Sequence, residues 1–304
     1  MNAEDFQQQP LPLEYKTKTI KRLDPLTYVF HCTTRNDAGG RCNRNMVVIA
    51  STDKAGADLT IVDPLKITSE GERKLLKLGT VTQIVRLGSS MHSSEEDAYY
   101  LSAFPKCQRW APGEFLSDLT LNLPLHVILK ENGAIPFPEC KVFCFRDTAI
   151  PEAAILLLRQ DSKHGNVLIT GDCLQHQIDN EFVNMPVVAK FKLAGLLESD
   201  IVVSQQWLKK TVPPSSATTP KKASSKGRGG GGGRPRMRRM SSLSGNQKAI
   251  RGDFMRMLGL DFQRMVSTSG NVVKYGAKKS AVLAVEYAFP LWERSNRNMG
   301  TNGY

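Results

Sequence analysis

Two stretches of the chain carry chemically capable side chains at the ends of apolar runs. The first is Val85-Arg86-Leu87-Gly88-Ser89-Ser90-Met91-His92-Ser93-Ser94-Glu95-Glu96-Asp97 and the second is Val167-Leu168-Ile169-Thr170-Gly171-Asp172. Loops at strand ends are where rigid scaffolds present function. An imidazole and two carboxylates presented there can line a pocket, so His92, Asp97 and Asp172 are the candidate pocket residues. His92 and Asp172 are the candidate metal ligands, and Asp97 would complete a mononuclear site. An oxygen-rich set of this kind favours a harder cation than zinc. The cofactor expectation is none or one divalent metal ion. Each residue also has a plainer reading. His92 can be an exposed residue at a helix start, and Asp172 after Gly171 a turn aspartate. Glu95, Glu96 and Asp97 can be first-turn acids that a helix dipole favours. His31, His126, His164 and His176 have no partner pattern and read as structural or surface residues.

The elements that must hold these residues follow from periodicity and punctuation. Pro25–Cys32, Asn45–Ala50 and Leu59–Val62 read as strands separated by Asn36-Asp37-Ala38-Gly39-Gly40 and Asp53-Lys54-Ala55-Gly56. Ser69–Leu78 reads as a helix with Ser69 as N-cap and Gly79 past its end. Val81–Leu87 is a strand, and Ser93-Ser94-Glu95-Glu96 fits a capping box that opens a helix through Phe104. Val127–Leu129, Val142–Phe145, Ala154–Leu158 and Val167–Ile169 are further strands. Met185–Leu197 and Phe254–Leu258 read as helices, Gln263–Ser267 as a strand and Ala277–Phe289 as a final helix.

A strand running into a His-bearing loop that opens a helix, then a later strand ending in Gly171-Asp172, then Leu260–Ser267 before a last helix, resembles the metallo-β-lactamase superfamily in order. The resemblance covers about residues 20–205 and 250–290. It implies an α+β fold, a four-layer αββα sandwich. In that family a His-x-His-x-Asp-His loop and the Gly-Asp carboxylate hold two metals. Here the loop has His92 alone. The stretch Arg146–Glu152, where a further ligand histidine is expected, has none, and neither has Ser267-Thr268-Ser269-Gly270 after Val266. Most metal-ligand histidines are missing. Three functions fit: a degenerate-site domain serving as a non-classical or non-catalytic binding protein, a metal-dependent hydrolase with an unusual mononuclear site, or a nucleic-acid-binding protein.

The last reading comes from charge. The net charge is +12, from 41 Lys+Arg against 29 Asp+Glu, but residues 209–251 alone hold 12 of those cations and no acid. Removing them leaves 41 less 12, or 29 basic residues against 29 acidic ones. The same 43 residues contain 18 Gly, Ser or Pro, a composition too polar to order itself. The expected organisation is a flexible N-terminus (1–19), one domain from 20–208 plus 250–292, a disordered basic insertion (209–249) and a flexible C-terminus (293–304). The basic segment is suited to an anionic partner, nucleic acid or a membrane surface. Arg236-Met237-Arg238-Arg239-Met240-Ser241 resembles the substrates of basophilic kinases, making Ser241 a candidate phosphorylation site. No run approaches the roughly 20 apolar residues of a membrane span. Without a visible signal peptide, the six cysteines are expected to be reduced thiols in a cytoplasmic protein, with a nuclear alternative through the arginines.

Overall fold

The computed structural model describes residues 14–35, 41–54, 56–88, 94–114, 122–159, 165–176, 201–204, 207–208, 245–268 and 270–289. His92, His164, Ser241, the helix expected at 185–197 and nearly all of the basic segment lie outside them.

One sheet has seven strands in sequential order: β1 (Lys16–Asp24), β2 (Thr27–Arg35), β3 (Arg41–Ala50), β4 (Ala57–Val62), β5 (Gly79–Val85), β6 (Gln108–Ala111) and β7 (Val127–Ile128). Its first four strands form an antiparallel meander, and β4 to β7 run parallel. A second sheet has the order β13 (Arg264–Ser267), β10 (Val167–Thr170), β9 (Ala153–Leu157), β8 (Cys140–Cys144). A small pair joins β11 (Leu174–His176) to β12 (Ile201–Val203). Four helices complete the described elements: α1 (Ser69–Leu76), α2 (Ser94–Ala103), α3 (Gly245–Leu258) and α4 (Ala277–Ala288).

Strand alternation turns this list into layers. Successive side chains of a strand point to opposite faces. Val47 and Ile49 of β3 pack inward with Ile155, Leu157, Val167, Ile169 and Val266 of the other sheet. Met46 and Val48 point the other way, onto Leu75 of α1 and Tyr100 of α2. On the far side, Leu156, Leu168 and Met265 meet Phe254 and Met257 of α3 and Ala281 and Val285 of α4. Three apolar interfaces between four layers give the αββα sandwich. Strand β9, covered on both faces, is therefore apolar at every position, Ala153-Ala154-Ile155-Leu156-Leu157.

Several elements differ from expectation. Strand β1 was not visible as a strand because Ile20 and Leu23 are its only apolar residues. Helix α1 is capped at Thr68 rather than Ser69, with no side-chain cap bond. The Thr68 N–H is instead spent on the Tyr15 carbonyl, 2.9 Å away, where the chain entering β1 is tied down. Helix α3 begins nine residues before the expected Phe254, because Gly245 and Gly252 hide its apolar stripe.

Phe254 anchors the outer layer, with ring centroids 5.3 Å from Phe145, 5.6 Å from Trp207 and 5.7 Å from Phe289. Truncating so large a buried ring removes transfer energy and leaves a cavity. We expect Phe254→Ala to lower unfolding free energy by about 3–5 kcal/mol, read as a shifted urea midpoint at unchanged slope. A loss below about 1 kcal/mol would mean that α3 does not hold this layer.

Candidate functional site

The ends of β4, β5, β10 and β13 and the start of β9 meet at one edge of the sandwich. Asp63 follows β4 in a left-handed conformation (φ 51°). A short polar side chain tolerates that region better than most. Its N–H donates to the Val85 carbonyl at 2.8 Å, and its Oδ1 accepts from the Leu87 N–H at 3.0 Å. Glu152 precedes β9, where the Ala153 N–H reaches the Leu87 carbonyl at 2.7 Å. Asp172 lies just past β10. Its Oδ1 accepts a 2.6 Å hydrogen bond from Thr268 Oγ1, beyond β13, and its N–H donates to Glu152 Oε1 at 3.2 Å.

The Glu152 carboxyl is wedged between two glycines. A Cβ on Gly88 or on Gly171 would overlap its oxygens. These two glycines thus leave the space that the acid occupies. Asp63, Glu152 and Asp172 are all buried, at 3%, 1% and 1% exposure. Three acids cannot all ionise there cheaply. Burial pushes the Glu152 carboxyl well above its ordinary range, and the nearby Asp172 and Asp63 push it further; the Trp207 side chain and the Asp172 N–H only partly offset this. Burial likewise raises Asp63 to about 7 against the pull of the Leu87 N–H, with Asp172 adding to the rise and Arg86 and Arg44 opposing it.

Beside these acids lies a buried ionic clamp. Asp97 of α2 accepts from Arg86 Nε at 2.8 Å, from an Arg86 terminal nitrogen at 2.6 Å and from Arg109 Nε at 2.6 Å. All three side chains are at most 1% exposed. Burial disfavours the Arg86 charge, but Asp97, Glu96 and Asp63 outweigh it and hold the guanidinium charged. Arg86 is thus the electrostatic link between Asp97 and the acids at the strand ends.

Of the expected pocket residues, then, Asp172 stands among the converging strand ends, Asp97 serves two arginines, and His92 lies outside the described residues. Among those residues no three His, Cys, Asp or Glu side chains surround a common metal position. The histidines read as structural bind backbone or amide groups. His126 Nδ1 accepts from the Arg109 N–H at 3.0 Å, His176 Nδ1 accepts from the Asn271 N–H at 3.1 Å, and His31 Nδ1 lies 2.7 Å from Asn45 Oδ1. The sequence reading missed Asp63, Glu152, Thr268 and the two arginines. Asp63 had a signal, since Thr60-Ile61-Val62-Asp63 is an apolar strand ending in an acid, as the run before Asp172 is. Glu152 had one too, ending the stretch Arg146–Glu152 in which a ligand histidine is expected.

No protein-family model matches the chain, and no curated protein matches it in sequence. Solved structures do resemble it. The FIM-1 metallo-β-lactamase of Pseudomonas aeruginosa, in its mono-zinc form, superposes with a TM-score of 0.50 at 10% identity, covering 93% of this chain and 99% of that one. A fragment of the putative diflavin flavoprotein A 5 from Nostoc sp. PCC 7120 gives 0.54 at 12% identity, covering 94% and 99%. VMB-1 gives 0.50 at 14% identity, covering 92% and 100%. At these identities the likeness is one of fold: the chain is a divergent protein with the metallo-β-lactamase architecture.

Two measurements probe the site. Asp97→Asn keeps the shape but leaves two buried cations without their shared anion, a change that costs about 3–5 kcal/mol. Chemical denaturation should show that loss. The second concerns pH. Asp63 has a folded value near 7 against 3.8 for an ordinary aspartate. The folded state therefore binds the extra proton, and its stabilising effect is complete below about pH 4 and disappears as pH rises through 7. Melting temperature should fall between pH 5 and pH 8, and Asp63→Asn should flatten that slope. A wild-type melting temperature that rises over this interval would contradict the protonated cluster.

Proposed function

We propose that this chain is a metallo-β-lactamase-like domain with a degenerate metal site, acting as a non-classical binding protein rather than a zinc hydrolase. One observation carries the reading: Glu152, in the stretch expected to hold a ligand histidine, turns its carboxyl inward between Gly88 and Gly171 and clusters with Asp63 and Asp172. Zinc centres of this class need several imidazoles or thiolates, with neutral nitrogen or anionic donors directed at the ion. A buried carboxyl wedged between two glycines and bonded to a backbone N–H is poorly placed to turn toward an ion. Asp172 already accepts from Thr268 at 2.6 Å. The described residues do not fit a zinc ion. The cations of the 209–251 segment supply this binding reading with an arm for an anionic partner.

The test is elemental analysis of the untagged protein together with its melting curve before and after dialysis against a chelator. We expect less than about 0.1 equivalent of zinc, iron or manganese and an unchanged melting temperature. A stoichiometric metal whose removal lowers the melting temperature would overturn the proposal. That result would favour the mononuclear reading built on His92, Asp97 and Asp172.

A further inference from the structure

Strand β8 is the outer edge of the second sheet and pairs only with β9. In an antiparallel ladder the N–H and C=O of one residue point to the same side, and consecutive residues alternate between sides. The Phe145 N–H donates inward to the Glu152 carbonyl at 3.0 Å, and the Glu139 carbonyl accepts from the Leu158 N–H at 2.8 Å. The backbone groups of Lys141 and Phe143 therefore also face β9, and those of Cys140, Val142 and Cys144 turn outward. The chain itself caps Cys144. Its N–H donates to Glu131 Oε1 at 3.2 Å, and its carbonyl accepts from Arg256 at 2.9 Å. Val142, two residues back along the same edge, has no such cap among the described residues.

The space beside this edge is a cleft of about 430 Å³ between β8 and the loop 130–135. From Cys140 to the capped Cys144 the edge spans about 13 Å, the length of roughly four extended residues. One wall is apolar: Ile135 is 47% exposed, and Leu260 and Val142 are half-buried. The other chemistry is charge, since Lys130 and Lys141 line the cleft and are exposed. The acids nearby are already engaged. Glu131 holds Arg146 and Arg256 at 2.8 Å each, and Glu139 lies 3.5 Å from Arg159. Among the described residues neither lysine nitrogen meets an acceptor. A second copy of the chain keeps its own β8 behind the same 130–135 loop, so two folded copies cannot bring these edges together. Nucleic acid would answer the lysines but offers no peptide group to Val142.

We propose that this cleft captures a short extended segment of a partner protein, with an apolar residue and an acid two positions apart. The residue between them exchanges both backbone hydrogen bonds with Val142. Its two neighbours then point to the face that Lys141 and Phe143 share, because alternate residues of a strand lie on one face. In the antiparallel direction the acid comes beside Lys141. The apolar residue comes beside Phe143, where Leu260 packs in the same apolar cluster. Lys130 adds to the positive field that the acid meets. The cleft contains none of Asp63, Glu152 and Asp172, so this binding holds whichever way the metal analysis falls.

The probe is a fluorescein-labelled peptide, Gly-Leu-Val-Glu-Gly, titrated into the full-length chain and followed by fluorescence polarisation and by amide resonances. Three results are expected. The peptide binds, and the Val142 amide shifts with its neighbours in β8. Methylating the backbone nitrogen of the peptide's valine weakens binding at least about tenfold. The variant Lys130→Glu/Lys141→Glu, both positions being exposed, keeps its melting curve but also loses about tenfold or more. The proposal is overturned by no binding, by equal binding of the methylated peptide, or by shifts located away from β8. It is also overturned if a thymidine oligonucleotide displaces the peptide and shifts the same amides, which would identify a polyelectrolyte face.

Discussion

The contact between Asp97 and two arginines decides how the first half of the molecule is assembled. Arg86 leaves the end of β5 and Arg109 belongs to β6, while Asp97 comes from the first turn of α2. One carboxylate therefore fixes a helix to two parallel strands at zero exposure. A buried cation pair without its anion is costly, about 3–5 kcal/mol, so the clamp favours this docking of α2 on the sheet. The apolar contacts of Tyr100, Ile84 and Val81 then follow from that placement. The same clamp sends Leu87 and Gly88 toward β9, where they border Glu152.

The strand-end acids set the electrostatics of their edge of the sandwich, where all three are buried. Three carboxylates brought to one buried edge repel one another, and the repulsion is relieved by retaining protons. The Leu87 N–H donates to Asp63 and the Asp172 N–H to Glu152, so the edge forms a hydrogen-bonded plug. The Thr268 hydroxyl completes it by donating to Asp172.

Much of the layering was legible in the chain. Short apolar runs such as Ala153–Leu157 and Val167–Ile169, bounded by turn residues, fit strands covered on both faces, which calls for two sheets with helices outside. The elements that escaped notice owe their form to neighbours. Strand β6 reads Gln108-Arg109-Trp110-Ala111, and its arginine is buried only because Asp97 awaits it. Strands β11 and β12 have three residues each, too few for any period to register. The same holds at the site. Asp172 was visible from its place after an apolar strand, whereas the wedge of Glu152 between Gly88 and Gly171 joins residues far apart in the chain.

Asn45 offers a last point. Its amide nitrogen donates to the Ser267 carbonyl at 2.9 Å and to the Gly270 carbonyl at 2.7 Å, and its backbone N–H donates to Thr268 at 2.7 Å. Gly270, at φ 82°, comes so close to the His176 carbonyl that a side chain would not fit. Most of the interface between the two sheets is apolar and would tolerate sliding, since dispersion contacts have little direction. Hydrogen bonds do have direction and fail steeply when bent. Three of them from one residue act as a rivet. They resist shear between the sheets at this corner, as Arg159 does at the far end of the strands by donating to Asp24 and Thr27 at 2.8 Å, so the two sheets are pinned against each other at both ends.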